Sequence, residues 1–266
     1  MCQGGAVQPP RLAPLDRDRL RAEADGFDVH VTDETASTNA DLAQAAHAGA
    51  PEWTVHTTDH QAAGRGRLDR TFTMPRYTGI AVSTLVRPVE VPPTRWPWVP
   101  LVAGLAVVDT VRDLGVEAAL KWPNDVLVDD RRKLCGILVE RVETPTGAAA
   151  IVGIGLNVAM AAEDLPVERA TSLLLEGATT TDRNEVLVAL LHRLRERLEL
   201  WRDPAGAEQL TADYLATCST IGRQVRIERA DGSDVVGQAT GIDPSGCLVV
   251  DGVPWSAGDV THLRPV

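Results

Sequence analysis

The sequence predicts an α+β fold: a domain of mixed sheet and helices, followed by a small β-barrel. Three observations carry this. Up to about residue 218, short apolar strand patterns alternate with helical patterns near period 3.6. The two longest strand patterns, 134–142 and 148–158, are joined by a Thr-Pro-Thr-Gly turn, so they form a hairpin. From Ile221 onward, short strands alternate with the turns Asp231-Gly232, Ser245-Gly246 and Asp251-Gly252. That spacing suits a barrel of about fifty residues.

The elements follow in order. Residues 1–14 are rich in Gly, Pro and Gln and predict a disordered leader. A short charged helix is expected over 15–24 and a strand over 27–32. Ser37-Thr38-Asn39 opens an Ala-rich helix that ends near Gly49, since Ser and Thr cap helices well. Strands over 55–58 and 80–86 flank an Arg-rich loop. An amphipathic helix is expected over 96–114, stopped by Gly115. Strands over 118–122 and 126–128 follow, then a charged turn over 129–132. Asp182 caps a helix over 182–201, with Glu185 placed as in a capping box. A shorter helix over 210–218 ends the first domain. The expected division is a short extension over 1–26, a mixed α+β domain over 27–218, and a barrel over 219–266.

Composition narrows the function classes. The chain has 266 residues and a net charge of −11, which disfavours a general nucleic-acid binder. Its 4 cysteines are scattered and predict neither a zinc site nor a disulfide framework. No apolar run approaches the ~20 residues of a membrane span, and the first residues lack a secretory core. A cytoplasmic chain with reduced thiols is expected.

Four clusters carry chemistry. Residues 61–70, QAAGRGRLDR, combine glycines with arginine forks, which suit phosphate or carboxylate oxygens. It lacks the Lys-Ser/Thr of a P-loop and the third glycine of a dinucleotide fingerprint. An ordinary solvated turn is the competing reading. Lys121-Trp122-Pro123-Asn124-Asp125 displays a cation, an amide and a carboxylate at a strand end. Asp125 suits Mg²⁺ or a proton from an incoming amine, and a surface ion pair is the bland alternative. In Lys133-Leu134-Cys135-Gly136-Ile137-Leu138, Gly136 admits a flat ligand, while Lys133 anchors a carboxylate or merely guards an edge. Gly153-Ile154-Gly155-Leu156-Asn157 thins a strand on one face, or marks a bulge.

Together and in this order, STN, QxxGRGRxxR, KWPND, KLxGIL and GxGxN resemble the motif string of the biotin–protein ligases. The resemblance runs from about residue 27 to 200, and the β-rich tail resembles the family's C-terminal domain. The short N-terminus resembles the monofunctional type that lacks a DNA-binding domain. The resemblance implies a mostly antiparallel sheet like that of class II aminoacyl-tRNA synthetases, and an SH3-like barrel. It implies that biotin attacks ATP to give biotinyl-5′-adenylate, with Mg²⁺ assisting. A lysine of a biotin carboxyl carrier protein then takes the biotin.

By the same resemblance, Ser37, Thr38, Asn39 and Gln61 contact biotin. Gly64, Arg65, Gly66 and Arg67 close over biotin and the adenylate, with Arg67 retaining the intermediate. Arg70 reaches the phosphates, beside an aromatic face from Phe72. Lys121 and Lys133 meet the phosphates and the biotin carboxylate, with Gly136 against biotin. Asn124 and Asp125 belong to the nucleotide half, Asp125 as the metal ligand, and Asn157 contacts the adenylate. The loop over 61–77, charged and poor in apolar anchors, is expected to order only over ligand.

Three departures from the family pattern stand out. Asp69 replaces a glycine, Phe72 replaces a common Trp, and residues 77–80 lack a Gly-x-Asn order. A lipoate–protein ligase on the same fold, and a non-catalytic biotin-binding regulator, are the competing functions.

Overall fold

The computed structural model describes residues 12–66, 71–72, 74–165, 167, 169–228, 233–256 and 259–263. Its centre is a seven-stranded sheet. In chain order the strands are β1 (Asp28–Thr32), β2 (Thr54–Thr58), β5 (Gly79–Val86), β6 (Ala119–Lys121), β7 (Asp125–Val128), β8 (Arg132–Thr144) and β9 (Gly147–Asn157). Across the sheet the order is β1-β2-β5-β9-β8-β7-β6. Only β1 and β2 run parallel; the other neighbours are antiparallel. The short strands β3 (Gly64–Arg65) and β4 (Thr71–Phe72) pair as a separate flap.

The helices divide between the two faces. On one lies α2 (Thr38–His47), whose Leu42 and Ala46 pack on Leu85, Ala149 and Ile151. On the other lies α3 (Val99–Asp113), buried along most of its length. The helix predicted over 96–114 is in fact two pieces. Pro93–Trp98 forms a 3₁₀ turn, and the α-helix starts only at Val99. Pro97 and Pro100 explain the break, because proline is accepted in a first turn but not inside a helix. Behind α3 pack α4 (Arg183–Arg202) and α5 (Ala207–Thr217). Asp182 caps α4 through the Asn184 amide at 2.9 Å. The turn after β7 has Asp129 and Asp130 both at positive φ, a conformation that Asp tolerates in tight hairpins.

A short helix α1 (Arg17–Glu23) precedes the sheet. The leader predicted over 1–14 gives way earlier than expected. The Ala13 carbonyl accepts from Arg183 Nη2 at 2.7 Å, and Leu15 is buried with its N–H on Asp59 at 3.0 Å. Residues 1–11 of that leader lie outside the described residues. Arg183 and Asp59 form an ion pair with both side chains below 5% exposure. Arg183 also donates to the Gly79 carbonyl at 3.2 Å. One buried guanidinium thus ties α4, the N-terminal segment and the loop before the site.

The C-terminal unit is a five-stranded antiparallel, SH3-like sheet. Its strands are β10 (Gln224–Glu228), β11 (Asp234–Ile242), β12 (Leu248–Val250), β13 (Val253–Trp255) and β14 (Asp259–His262), in the order β13-β12-β11-β10-β14. The sequence pattern identified the first four and missed β14, which is short and carries polar residues beside Val260. Among the described residues no helix is long and apolar enough to cross a membrane.

Candidate active site

The strand registers set one row of residues across the sheet. Thr58 stands opposite Ala81, Ala81 opposite Gly155, Gly155 opposite Gly136, Gly136 opposite Asp125, and Asp125 opposite Lys121. The three residues in the middle have almost no side chain. The row is therefore a strip of near-bare backbone, buried at Ala81 and partly exposed at Gly155 and Gly136, with a carboxylate and an amine at one end. Leu120 and Ile137, one residue off the row, point the opposite way towards Gly104 of α3. Period-two alternation thus keeps the core and the strip on opposite faces.

A polar cluster borders the strip on the α2 side. Gln61 Oε1 accepts from the Thr38 amide at 3.0 Å and from its hydroxyl at 3.2 Å. Ser83 Oγ lies 2.8 Å from Thr38 Oγ1 and 2.6 Å from Asn39 Oδ1. Asn39 Nδ2 donates to Glu140 at 2.6 Å and to the Leu138 carbonyl at 3.3 Å. Gly153 makes this possible: a Cβ there would sit 2.3 Å from Asn39 Oδ1. Ser37 caps α2 through the Ala40 amide at 3.4 Å. Ser37, Thr38 and Asn39 are buried together with Gln61, which lies more than twenty residues further along the sequence.

At the far end, Lys133 Nζ lies 2.6 Å from Asp125 Oδ1. The Lys133 stem passes over Gly136, where a Cβ would meet Cε and Nζ at 3.2 Å. Lys121 closes β6 opposite Asp125, across a turn with a cis Trp122-Pro123 bond. The sequence placed Asn124 and Asn157 against the nucleotide; both spend their amide groups on backbone. Asn124 Nδ2 donates to the Ile137 carbonyl at 2.8 Å, and the Ile137 amide returns a bond to the Asn124 carbonyl at 2.9 Å. Asn157 Nδ2 donates to the Thr171 carbonyl at 2.8 Å and is buried. What these two hold is the turn and the end of β9.

The flap reaches the polar cluster through Arg65. Gly64 is buried and Arg65 is exposed, its guanidinium 3.7 Å from Glu140. Gly66 follows at the flap's edge. Arg67, Asp69 and Arg70 lie outside the described residues, and of Phe72 only the backbone, opposite Gly64, is described. Residues 67–70 and 73 of the loop expected to order only over ligand lie outside the described residues. Met74 is buried against Ala81 and Met160 at its C-terminal end.

The sequence models of known families agree with this layout. The Biotin/lipoate A/B protein ligase family matches residues 30–157, and the Biotin protein ligase C terminal domain matches residues 220–263. The chain is 44% identical to the biotin--[acetyl-CoA-carboxylase] ligase of Mycobacterium tuberculosis, over 97% of this chain and 98% of that protein. The chain belongs to the biotin protein ligase family. It is also 32% identical to the bifunctional ligase/repressor BirA of Bacillus spizizenii, over 92% of this chain and 76% of that one. The biotin protein ligase of Aquifex aeolicus, solved with biotin and ATP, superposes with a TM-score of 0.74 at 27% identity, covering 90% of this chain and 99% of that chain.

Within this biotin protein ligase fold, sequence reasoning missed Ser83, Glu140 and the Asp59–Arg183 pair. Ser83 had a signal: it is one of two hydroxyl residues in an otherwise apolar strand, where a buried polar group needs a partner. Glu140 had none, because its partner Asn39 lies 101 residues away. For Mg²⁺ the donor set is sparse. Among the described residues no three His, Cys, Asp or Glu side chains gather as a metal site. Asp125 fits as a single carboxylate for a Mg²⁺ that arrives on the triphosphate, the usual mode for this ion.

Proposed function

We propose that this protein activates biotin with ATP and transfers it to a lysine of the biotin carboxyl carrier protein of acyl-CoA carboxylases. The observation that carries this is the strip Ala81–Gly155–Gly136, bordered by a buried polar cluster and ended by Lys133, Asp125 and Lys121. A flat ring on the strip meets the Thr38–Gln61–Ser83–Asn39 cluster with its polar edge and sends its carboxylate towards Lys133. ATP then lies over the Lys121–Asp125 turn.

In the first step a biotin carboxylate oxygen attacks the α-phosphorus, and pyrophosphate leaves. Two anions must approach, so preset cations are the main aid to the reaction. Lys133 leaves Asp125 for the carboxylate and α-phosphate, and Lys121 meets the phosphates. Asp125 would hold a Mg²⁺ brought with the triphosphate, and the ion would supply further charge neutralisation there. Arg65 and the arginines of the flap, Arg67 and Arg70, cover the adenylate and keep water from it. In the second step the carrier lysine attacks the acyl carbon, and AMP leaves. The catalytic unit spans residues 27–218 and the C-terminal unit 219–266, with residues 1–26 as an N-terminal extension. A chain that consumes ATP for this chemistry works in the cytoplasm.

The test is labelling of a carrier domain by biotin with and without ATP, alongside pyrophosphate release with biotin or lipoate. Biotin- and ATP-dependent labelling is expected. Activation of lipoate but not biotin would replace the proposal with the lipoate reading, and binding without labelling would replace it with the regulator.

A further inference from the structure

The turn that carries Lys121 and Asp125 sits at the edge of the sheet, on a strand of only 3 residues, β6. A strand this short at an edge holds its turn weakly unless something closes its outer side. Here residues 218–220, at the junction with the C-terminal unit, do so. Cys218 bridges Leu120 in parallel, and the Ser219 amide donates to the Leu120 carbonyl at 2.8 Å. Next, the Trp122 amide donates to Thr220 Oγ1 at 3.1 Å. That hydroxyl is fully buried and lies 2.9 Å from His262 Nε2, on the last described strand of the C-terminal unit.

Thr220 Oγ accepts from Trp122 and keeps a proton and a second lone pair, so it can meet His262 Nε2 as donor or acceptor, according to the ring's tautomer. Burial, helped by the charges of Lys121 and Arg223 and opposed by Asp130, lowers His262 to about 4, so the ring is neutral at pH 7. A further bond fixes the unit to the next turn, where Arg223 pairs with Asp130.

We propose that Thr220 and His262 are positioning residues for the nucleotide half of the site: they hold the Trp122 amide, and through it set Lys121 and Asp125 against the triphosphate. This deepens the proposed function and rests on it for its kinetic consequences. Apart from Lys133, which meets Asp125, the biotin half has no such tie among the described residues. Its cluster is held by α2, β5 and β8, all within the catalytic unit.

The test compares Thr220→Val with Thr220→Ser in the full chain. Valine keeps the shape but leaves a buried Trp122 N–H unpaired, and serine keeps the hydroxyl. An unpaired buried donor corresponds to roughly a tenfold effect or more. The KM for ATP is expected to rise about tenfold in Thr220→Val, with the KM for biotin within a factor of about two, and to return towards wild type in Thr220→Ser. Hydrogen exchange at the Trp122 amide is expected to accelerate in Thr220→Val alone. His262→Leu, which leaves Thr220 in place, is expected to move the ATP KM in the same direction, and it stands in if Thr220→Val fails to fold. An unchanged ATP KM, a parallel rise for both substrates, or unchanged Trp122 exchange would overturn the inference. If the wild-type chain activates neither biotin nor lipoate, the proposed function fails, while the exchange measurement still decides the role of Thr220.

Discussion

Gly153→Ala is the smallest change that tests how the biotin end is built. The methyl group would stand 2.3 Å from Asn39 Oδ1 and 3.0 Å from its Cγ, on a central strand that cannot move aside. Asn39 must swing away. It then loses its bonds to Ser83, Glu140 and the Leu138 carbonyl, at 2.6, 2.6 and 3.3 Å. Overpacking of this kind costs about 1–3 kcal/mol. Each lost hydrogen bond adds about 1 kcal/mol, and any partner left unpaired in the buried cluster adds more. Together these come to about 4–6 kcal/mol, which lowers the melting temperature by roughly 8–24 °C for a chain of this size. Biotin affinity should fall at least about tenfold, since 1.4 kcal/mol at the site corresponds to that factor. Thermal melting and calorimetric biotin titration read both. The decisive comparison is the double variant Asn39→Ala/Gly153→Ala. If the clash with Asn39 is the cause, the double variant is no less stable than Asn39→Ala alone, because coupled neighbours do not add. Additive losses, or Gly153→Ala with wild-type melting and biotin binding, would refute the reasoning.

Other expectations follow from the same geometry. Lys133→Ala should lower pyrophosphate release by about 10²–10³, the typical loss for one preset charge contact, with melting little changed because Lys133 is 42% exposed. Asp59→Ala strands the buried Arg183 charge, which typically costs about 3–5 kcal/mol, so a fall of more than about 6 °C in melting temperature is expected. The pH dependence has a definite sign. His262 has a folded value near 4 against an ordinary 6.5, so between these values the unfolded chain binds more protons. Its contribution to stability is complete above pH 6.5 and is lost as the pH falls towards 4. Melting followed from pH 7 to 4 should show a shallower decline in His262→Gln than in wild type.

Much of the site was legible in the sequence because its chemistry is compressed into short motifs. Ser37-Thr38-Asn39 starts a helix by local capping, and the Lys-Trp-Pro-Asn-Asp turn breaks a strand by proline geometry. Neither needs distant residues. Asn124 and Asn157 show the opposite case. Nothing in their motifs records that each Nδ2 satisfies a distant carbonyl, of Ile137 and Thr171. Trp96 to Trp98 looked helical because their spacing fits, yet proline chemistry made that stretch a 3₁₀ turn. The strand β14 was missed because a four-residue strand has too few apolar positions to show alternation.

The sequence by itself determined the kinds of group present, their order, the two-part architecture and the resemblance to a ligase family. These rest on local pattern and composition. Only the tertiary structure decided which groups meet. Strand register lined up Ala81, Gly155, Gly136, Asp125 and Lys121 from five strands into one row. It also set Asn39 into the space left at Gly153, and a threonine of the C-terminal unit beneath the Trp122 amide. Register is a property of pairs of strands, set by how distant segments share a core, and no single segment records it.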